Sequence, residues 1–377
     1  MEMRFNVNDV LPFLSACASL VSQKNTIPVL SSVLVEANTD QTGVPHVFFT
    51  TSDGENFLNV QCDVHTCDDG LRFCVDANDF LRALRNLADS VLTVRVKNGT
   101  MTGLYYNGQF TLPCIDDTVF PPQIKVGDDG YREASTRASV LSYAIDKTSI
   151  AMGNDPIRPI LSGLNFNFVG NTMTVVGTDA QRLVKVTVTN DVNNDIADGF
   201  TLPSKPTMVL RSLVRDGGMV YIKFDNRHVT FFDGVFHLTA RLTDGNYPKY
   251  ETIIPKNECV TATIEKQELI SALRRTTPMG SNTSNLVALN FDENSVVVSA
   301  EDVDFMKSAK EKVSCSYKGM PFAIGFKGNM LMEMIGSMNK DNISMELRSP
   351  SMACIMRPCE DFPSTEYLSL IMPMMIE

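Results

Sequence analysis

In "GTDAQRLVKV", residues 177 to 186, a carboxylate, an amide and a guanidinium (Asp179, Gln181 and Arg182) fall within four residues at the end of an apolar run. Such a trio has the donors and acceptors for an active-site corner, and equally for a polar turn between two strands. A metal site would need spaced ligands, and Cys62, His65 and Cys67 lie within six residues. Alternation along "QCDVHTC" puts Cys62 and Cys67 on opposite strand faces, and no second ligand pair follows at zinc spacing, so no metal is expected. The chain carries no P-loop, no G-x-S-x-G elbow and no H-E-x-x-H. Of its four histidines (His46, His65, His228, His237), three sit in strand-like runs, "PHVFFT", "RHVTFF" and "FHLTAR". The absence of these motifs removes the simple arguments for an enzyme without excluding one, because triads are spatial constellations; no cofactor is expected.

The elements that position these residues belong to a large folded chain. With 377 residues, 44% hydrophobic and 20% charged, it reads as globular, with two or three domains of ordinary size. Nine scattered cysteines, an odd number, form no dense framework and read as free thiols packed as small hydrophobes. No apolar run reaches the roughly 18 residues of a membrane span, and "MEMRFNVNDV" lacks the layout of a signal peptide. A cytoplasmic protein with no membrane partner is expected.

Repetition carries the most information. "NDVLPFLSACASLVS", "ASVLSYAIDKTSIAMG" and "KQELISALRRTTPMG" share the apolar spacing of an amphipathic helix, and each leads through a polar bend into strands. Those strands reach similar corners at "FFTTSDGENFLNV", "TVVGTDAQRLVKV" and "VVVSAEDVDFMKS". Aligning Asp53, Asp179 and Glu301 gives separations of 126 and 122 residues, close to a third of the chain. A second set of helices, "NDFLRALRNLA", "PTMVLRSLVRD" and "GNMLMEMIGSM", keeps the same period and precedes the alternating strands "VLTVRVKNG", "MVYIKFDNR" and "NISMELRSP".

The fold expected is therefore α+β: three similar units at 1–128, 129–256 and 257–377, each with two helices packed on antiparallel sheets. "KVGDDGYRE" and "IIPKNECV", where Gly, Pro and charge cluster, mark the joins. Open outer edges on the first and third units are a liability that closure into a ring removes.

The triple repeat, "MRFNV" with "LPFLSACASLVSQKNTIPVLSSVLVEA", the "GTDAQRLVKV" corner, "LTDGNYPKYETIIP" and the terminal "LIMPMM" together resemble the bacterial sliding clamps, the β subunit of the replicative DNA polymerase III. The resemblance spans essentially the whole chain. It implies a head-to-tail homodimer that closes a ring of six similar domains around duplex DNA, helices inside and sheets outside. It also implies a processivity factor without chemistry, tethering replicative polymerase, clamp loader and repair proteins through short peptides.

The apolar C-terminus "YLSLIMPMMIE" reads either as a buried last strand or as an adaptable, methionine-rich pocket wall, and Pro373 would end a strand. The family pattern favours a peptide pocket, with Leu161 in a strand, Thr178, Arg182, Leu183, Pro248, Ile253, Leu370, Met372, Pro373 and Met374 at matching positions. Asp179 to Arg182 would then form its rim. Ala180 and Gln181 replace a glycine and a histidine of the pattern, Thr252 an arginine, and Met375-Ile376-Glu377 an ending that begins with arginine, which implies a less cationic rim.

A formal charge of −11 suits a ring that slides, because strong phosphate contacts would act as a brake. Arg82 and Arg85, Arg211 and Arg215, and Arg274 and Arg275 read either as solvated helix charges or as a channel lining. The resemblance adds Lys24, Arg158 and Lys205 to the lining, while Asn78 stands where the pattern has arginine. "YNGQFTLP" matches the edge strand of the ring joint, with Phe110 and Leu112 as anchors and Met279 across the joint. Asn107 replaces a basic residue there, and ordinary core packing is the other reading of these three. Two rivals remain: a monomeric peptide-binding scaffold, and an enzyme using Asp53, Asp179 and Glu301, which would lie a whole domain apart.

Overall fold

The computed structural model describes residues 1–377 except 22–26, 88–89, 128–129, 194–195, 215–216, 257 and 377. The joins expected at 128/129 and 256/257 fall on residues outside that description. Six α-helices are present among the described residues: α1 (Val7–Leu20), α2 (Ala77–Arg85), α3 (Ala138–Ser149), α4 (Ser204–Leu213), α5 (Lys266–Thr276) and α6 (Gly328–Ser337). Each starts directly after a strand, so the chain switches from a period of two to a period of 3.6 without a loop. Two switches are capped by carboxylates: Asp76 accepts the N–H groups of Asn78 and Asp79, and Glu265 those of Gln267 and Glu268. The α1 stripe Val7, Val10, Leu14, Cys17 and Leu20 is fully buried. Each large apolar side chain so placed contributes about 2 kcal/mol by transfer.

The chain divides into two compact units. One comprises Met1–Ser142, Asn193–Ile196 and Leu202–Asp244; the other comprises Tyr143–Val192, Ala197–Thr201 and Gly245–Glu377. Three repeats give two units because the halves of the middle repeat continue different sheets. In the first unit Phe236–Arg241 pairs antiparallel with Asn56–Asp63, placing Leu238 opposite Leu58. In the second, Thr365–Ile371 pairs antiparallel with Arg182–Thr189, placing Leu370 opposite Leu183. In the first unit α1 packs on α2, α4 and the strands Pro45–Ser52 and Asn56–Asp63. In the second, α5 packs on α6, whose last carbonyls are held by lysines: Lys147 donates to Ser337 and Lys266 to Met338.

The third corner departs from the sequence alignment. Buried Met173, Val175 and Gly177 match buried Val296, Val298 and Ala300, which sets Asp302, and not Glu301, against Asp179. Asp53, Asp179 and Asp302 each accept the backbone N–H three residues on, from Asn56 (2.8 Å), Arg182 (2.9 Å) and Phe305 (3.2 Å). Beyond Asp302 the return loop carries two more residues before inward alternation resumes, and Glu301 is left exposed on its strand. Two further expectations are corrected. Leu161 lies in the 3-10 turn Pro159–Leu161, ahead of the strand Gly163–Val169. Cys62 and Cys67 sit in separate strands, Asn56–Asp63 and Thr66–Cys67, because the chain bends between them.

Gly177 lets α3 close on the sheet: a Cβ there would meet the Thr148 carbonyl oxygen at 2.3 Å. Since that neighbour is backbone, relief requires the helix end to move. Gly177→Ala is expected to lower unfolding stability by about 2 kcal/mol in urea titration; an unchanged midpoint would contradict this packing.

Candidate functional site

The residues singled out near the second corner converge within the second unit. Thr178, at the end of Thr172–Thr178, donates its hydroxyl to the Arg182 carbonyl (2.7 Å) and accepts the Ala180 N–H (3.2 Å). One Asp179 oxygen accepts the Gln181 and Arg182 N–H groups, both at 2.9 Å, and the other takes the Arg182 Nε at 3.0 Å. Arg182 also reaches Glu333 on α6. The Arg182 guanidinium, expected at the rim, is clamped between two carboxylates, and the Asp179 carboxylate is committed to its own turn. A close approach at Gly153 brings the Leu161 turn beside the corner, since a Cβ there would lie 3.2 Å from the Leu161 oxygen and 3.6 Å from the Asp179 Cα.

The C-terminus forms the buried last strand of the first reading and then continues along the corner. Thr365–Ile371 is a buried strand, and the chain beyond it rides along the corner, with the Met372 N–H donating to the Gln181 carbonyl (2.8 Å) and the Met374 N–H to Gly325 (2.8 Å). Leu183 and Leu370 are fully covered and form a floor with Val176, Tyr250, Ala353, Ile355 and Leu368, against which Tyr247 and Ile254 pack. Above that floor the accessible apolar groups are Ile253 (48% exposed), Met372 (43%) and the exposed Pro248, with Pro373 and Met374 half-buried. Flexible methionine and rigid proline beside a dry floor suit a short apolar segment of varied sequence. Tyr247, Tyr250, Gly153 and Glu333 were not singled out from sequence; the aromatic-Pro-x-aromatic spacing of "YPKY" was the available signal for the tyrosines.

The cations divide by partner. Arg82 pairs with Asp79 (3.2 Å), Arg158 with Asp155 (2.9 Å), Lys205 with Asp53, and Arg275 bidentately with Glu311. Burial opposes ionisation of Asp53, but hydrogen bonds from Lys205 and Asn56 outweigh it and hold the carboxyl below its usual range. Arg85, Arg211 and Arg274 are exposed, and Arg85 and Arg274 have no ion pair among the described residues. Lys24 and Arg215 lie outside the described residues.

Of the three residues expected at a ring joint, Phe110 and Leu112 sit on an incompletely paired edge strand. Gly108–Ile115 pairs along its length with Thr100–Tyr105, but on its other side, among the described residues, only Cys114 and Ile115 pair, with Val75 and Cys74. Phe110 and Leu112 are half-buried there, and the Phe110 ring lies over Gly103, whose added Cβ would come within 2.3 Å of it. In the second unit Lys307–Ser316 is bare in the same way: Ser295–Asp302 covers one side, and Val260–Glu265 meets only Cys315 and Ser316 on the other. Met279, 39% exposed, ends the 3-10 turn after α5 that packs on this strand.

Family models of the DNA polymerase III beta subunit match the chain in tandem: the N-terminal domain over residues 1–124, the central domain over 136–249 and the C-terminal domain over 251–375. The chain is 24% identical over 363 residues to the beta sliding clamp of Pseudomonas putida KT2440, covering 96% of each. It is 25% identical over 380 residues to that of Haemophilus influenzae, covering 99% of this chain and 100% of the other. Among solved structures, a Pseudomonas aeruginosa sliding clamp bound to griselimycin superposes with TM-score 0.88 at 23% identity, and a Thermotoga maritima beta subunit with 0.88 at 17%, both over 100% of each chain.

Ala180 adopts φ +75° at the corner, a left-handed conformation that glycine takes without cost; Gly54 takes it at the first corner, at φ +94°. Ala180→Gly is expected to raise unfolding stability by about 1 kcal/mol, measured by chemical denaturation. A loss of stability would show that the corner does not hold this conformation in solution.

Proposed function

Because the chain belongs to the DNA polymerase III β-subunit family, the bacterial sliding clamps, we propose that it encircles duplex DNA as a head-to-tail homodimer and tethers partner proteins through the groove beside the Asp179 corner. It is a non-catalytic processivity factor. The tandem match of all three domains across the chain carries this reading.

The joint follows from the two internal ones. Each internal joint pairs the last strand of one half-repeat with the last strand of another, and the two strands left without such a partner are Gly108–Ile115 and Lys307–Ser316. Pairing them between two copies closes the ring. Phe110 and Leu112 then face the inward side of the lysine-bearing strand, with Met279 beside it. Units at 1–128, 129–256 and 257–377 are the repeats that assemble this way.

DNA is held by enclosure more than by grip. Lys24, Arg82, Arg85, Arg158, Lys205, Arg211, Arg215, Arg274 and Arg275 are the proposed channel cations, with Arg85 and Arg274 foremost because carboxylates already occupy several of the others. Such partial neutralisation lowers the number of phosphate contacts and with it the salt-dependent drag. No helix among the described residues is long and apolar enough to cross a membrane; a place in the cytoplasm on a bacterial chromosome belongs to the proposal.

Partners are polymerase, clamp loader and repair proteins bearing a short segment with glutamine, aliphatic and aromatic residues. Aliphatic and aromatic anchors would pack among Leu161, Ile253, Pro248 and Met372 above the Leu183–Leu370 floor, with Thr178 and Gln181 at the polar rim. Two anchors bury enough surface for a few kcal/mol before ordering costs, which suits exchange among partners.

A fluorescent peptide of the glutamine-aliphatic-aromatic type, titrated with intact protein, is expected to show saturable anisotropy in the micromolar range and none with a chain ending at Leu370. Equal binding to both would place the peptide elsewhere.

A further inference from the structure

Two connecting stretches correspond at an offset of 127 residues through an aromatic-proline pair: "FPPQ" at 120–123 and "YPKY" at 247–250. In the second unit the later stretch fills its site. Tyr250 is only 7% exposed, wedged among Val176, Leu183 and Leu368, and Tyr247 donates its hydroxyl to the Val176 carbonyl at 3.4 Å. The strands beneath place Val176, Lys185 and Leu368 in one row across the sheet.

The first unit repeats the row with other chemistry. Its members are Thr50, Asn59 and His237, in the same register across the same three kinds of strand. Phe120 stands for Tyr247, and Gln123, which is exposed, stands for Tyr250. A cleft of about 490 Å³ remains between this row, Phe57, the Phe120–Gln123 segment and, on neighbouring strands, Leu34 and the ion-paired Glu36 and Arg72. That is within the size range of ordinary ligand pockets and more than one aromatic side chain needs.

We propose that this cleft binds a tyrosine side chain presented by an extended segment of another protein, in the place that Tyr250 fills within the second unit. Phe57, Phe120 and Pro121 supply ring-facing walls. The floor supplies what a phenol requires: Asn59 Nδ2 already donates to Thr50 Oγ1 (2.7 Å), and His237 Nδ1 lies 3.5 Å from Gln123 Nε2. Burial depresses the His237 pKa, so the ring is neutral near pH 7 and offers one donor and one acceptor. A leucine or phenylalanine anchor would displace water from the remaining donor and acceptor sites of these groups without replacing its hydrogen bonds, which is how a site disfavours an analogue lacking the hydroxyl. This site is separate from the groove at the Asp179 corner and does not depend on it.

The test is a titration of the full-length, isotope-labelled protein with the capped tripeptide acetyl-Ser-Tyr-Ser-amide, followed by backbone amide shifts. Thr50, Asn59 and His237 are expected to shift with millimolar saturation, and the phenylalanine version to bind about tenfold more weakly or worse. Gln123→Tyr, which supplies the ring in cis, is expected to abolish the response. Should that variant fail to fold, Asn59→Lys, which introduces the residue type found in the second row, is expected to do the same. A chain ending at Leu370 should respond like the intact one, so failure here is distinguishable from failure of the corner groove. No shifts at these residues, equal affinity for tyrosine and phenylalanine, or a response unchanged in both variants would overturn the proposal.

Discussion

A strand at the edge of a sheet exposes backbone donors and acceptors that must find partners or remain a site of adhesion. Everything else in this chain follows from how its edges are paired. Asn56–Asp63 is closed by Phe236–Arg241 and Arg182–Thr189 by Thr365–Ile371, each by an antiparallel ladder with apolar residues opposite one another. The same construction leaves Gly108–Ile115 and Lys307–Ser316 half bare among the described residues, and a second copy of the chain is the partner we propose for them. One of those edges offers Phe110 and Leu112 without a lysine or arginine; the other carries Lys307, Lys310 and Lys312. The difference gives the joint a direction, because neither edge resembles itself.

Pairing of strands also builds the groove. Where Thr365–Ile371 runs out against the Asp179 corner, the chain must leave the sheet, and its next residues lie exposed over a covered floor. The corner's carboxylate and hydroxyl are spent on hydrogen bonds within the turn, and its guanidinium on Asp179 and Glu333. What remains for a partner is an apolar surface with a fixed polar border, suited to specificity by shape more than by charge. The same economy governs the cations proposed for the channel, several of which are held by neighbouring carboxylates in a chain of charge −11.

Much of this was legible in the sequence. Helix positions followed from apolar spacing, and the triplication from recurring helix and corner phrases, because both are written in local patterns. What failed was register. Glu301 precedes an aspartate, so a carboxylate-to-carboxylate alignment was satisfied one residue early, and only the inward alternation of Val296, Val298 and Ala300 identified Asp302. The floor role of Tyr250 was hidden because its partners Val176, Leu183 and Leu368 come from three distant strands. The clamping of Arg182 by Glu333 depends on contact between a corner and a helix 151 residues away in sequence, which no local pattern encodes.

The central claim is enclosure, and retention on closed against open DNA tests it most directly. Labelled protein loaded onto a nicked circular plasmid should remain bound through gel filtration at moderate salt and be lost when the same plasmid is cut once. Equal retention on circular and linear DNA would mean that surface contacts hold it, and equal loss from both after verified loading would mean that the two free strand edges do not close a ring.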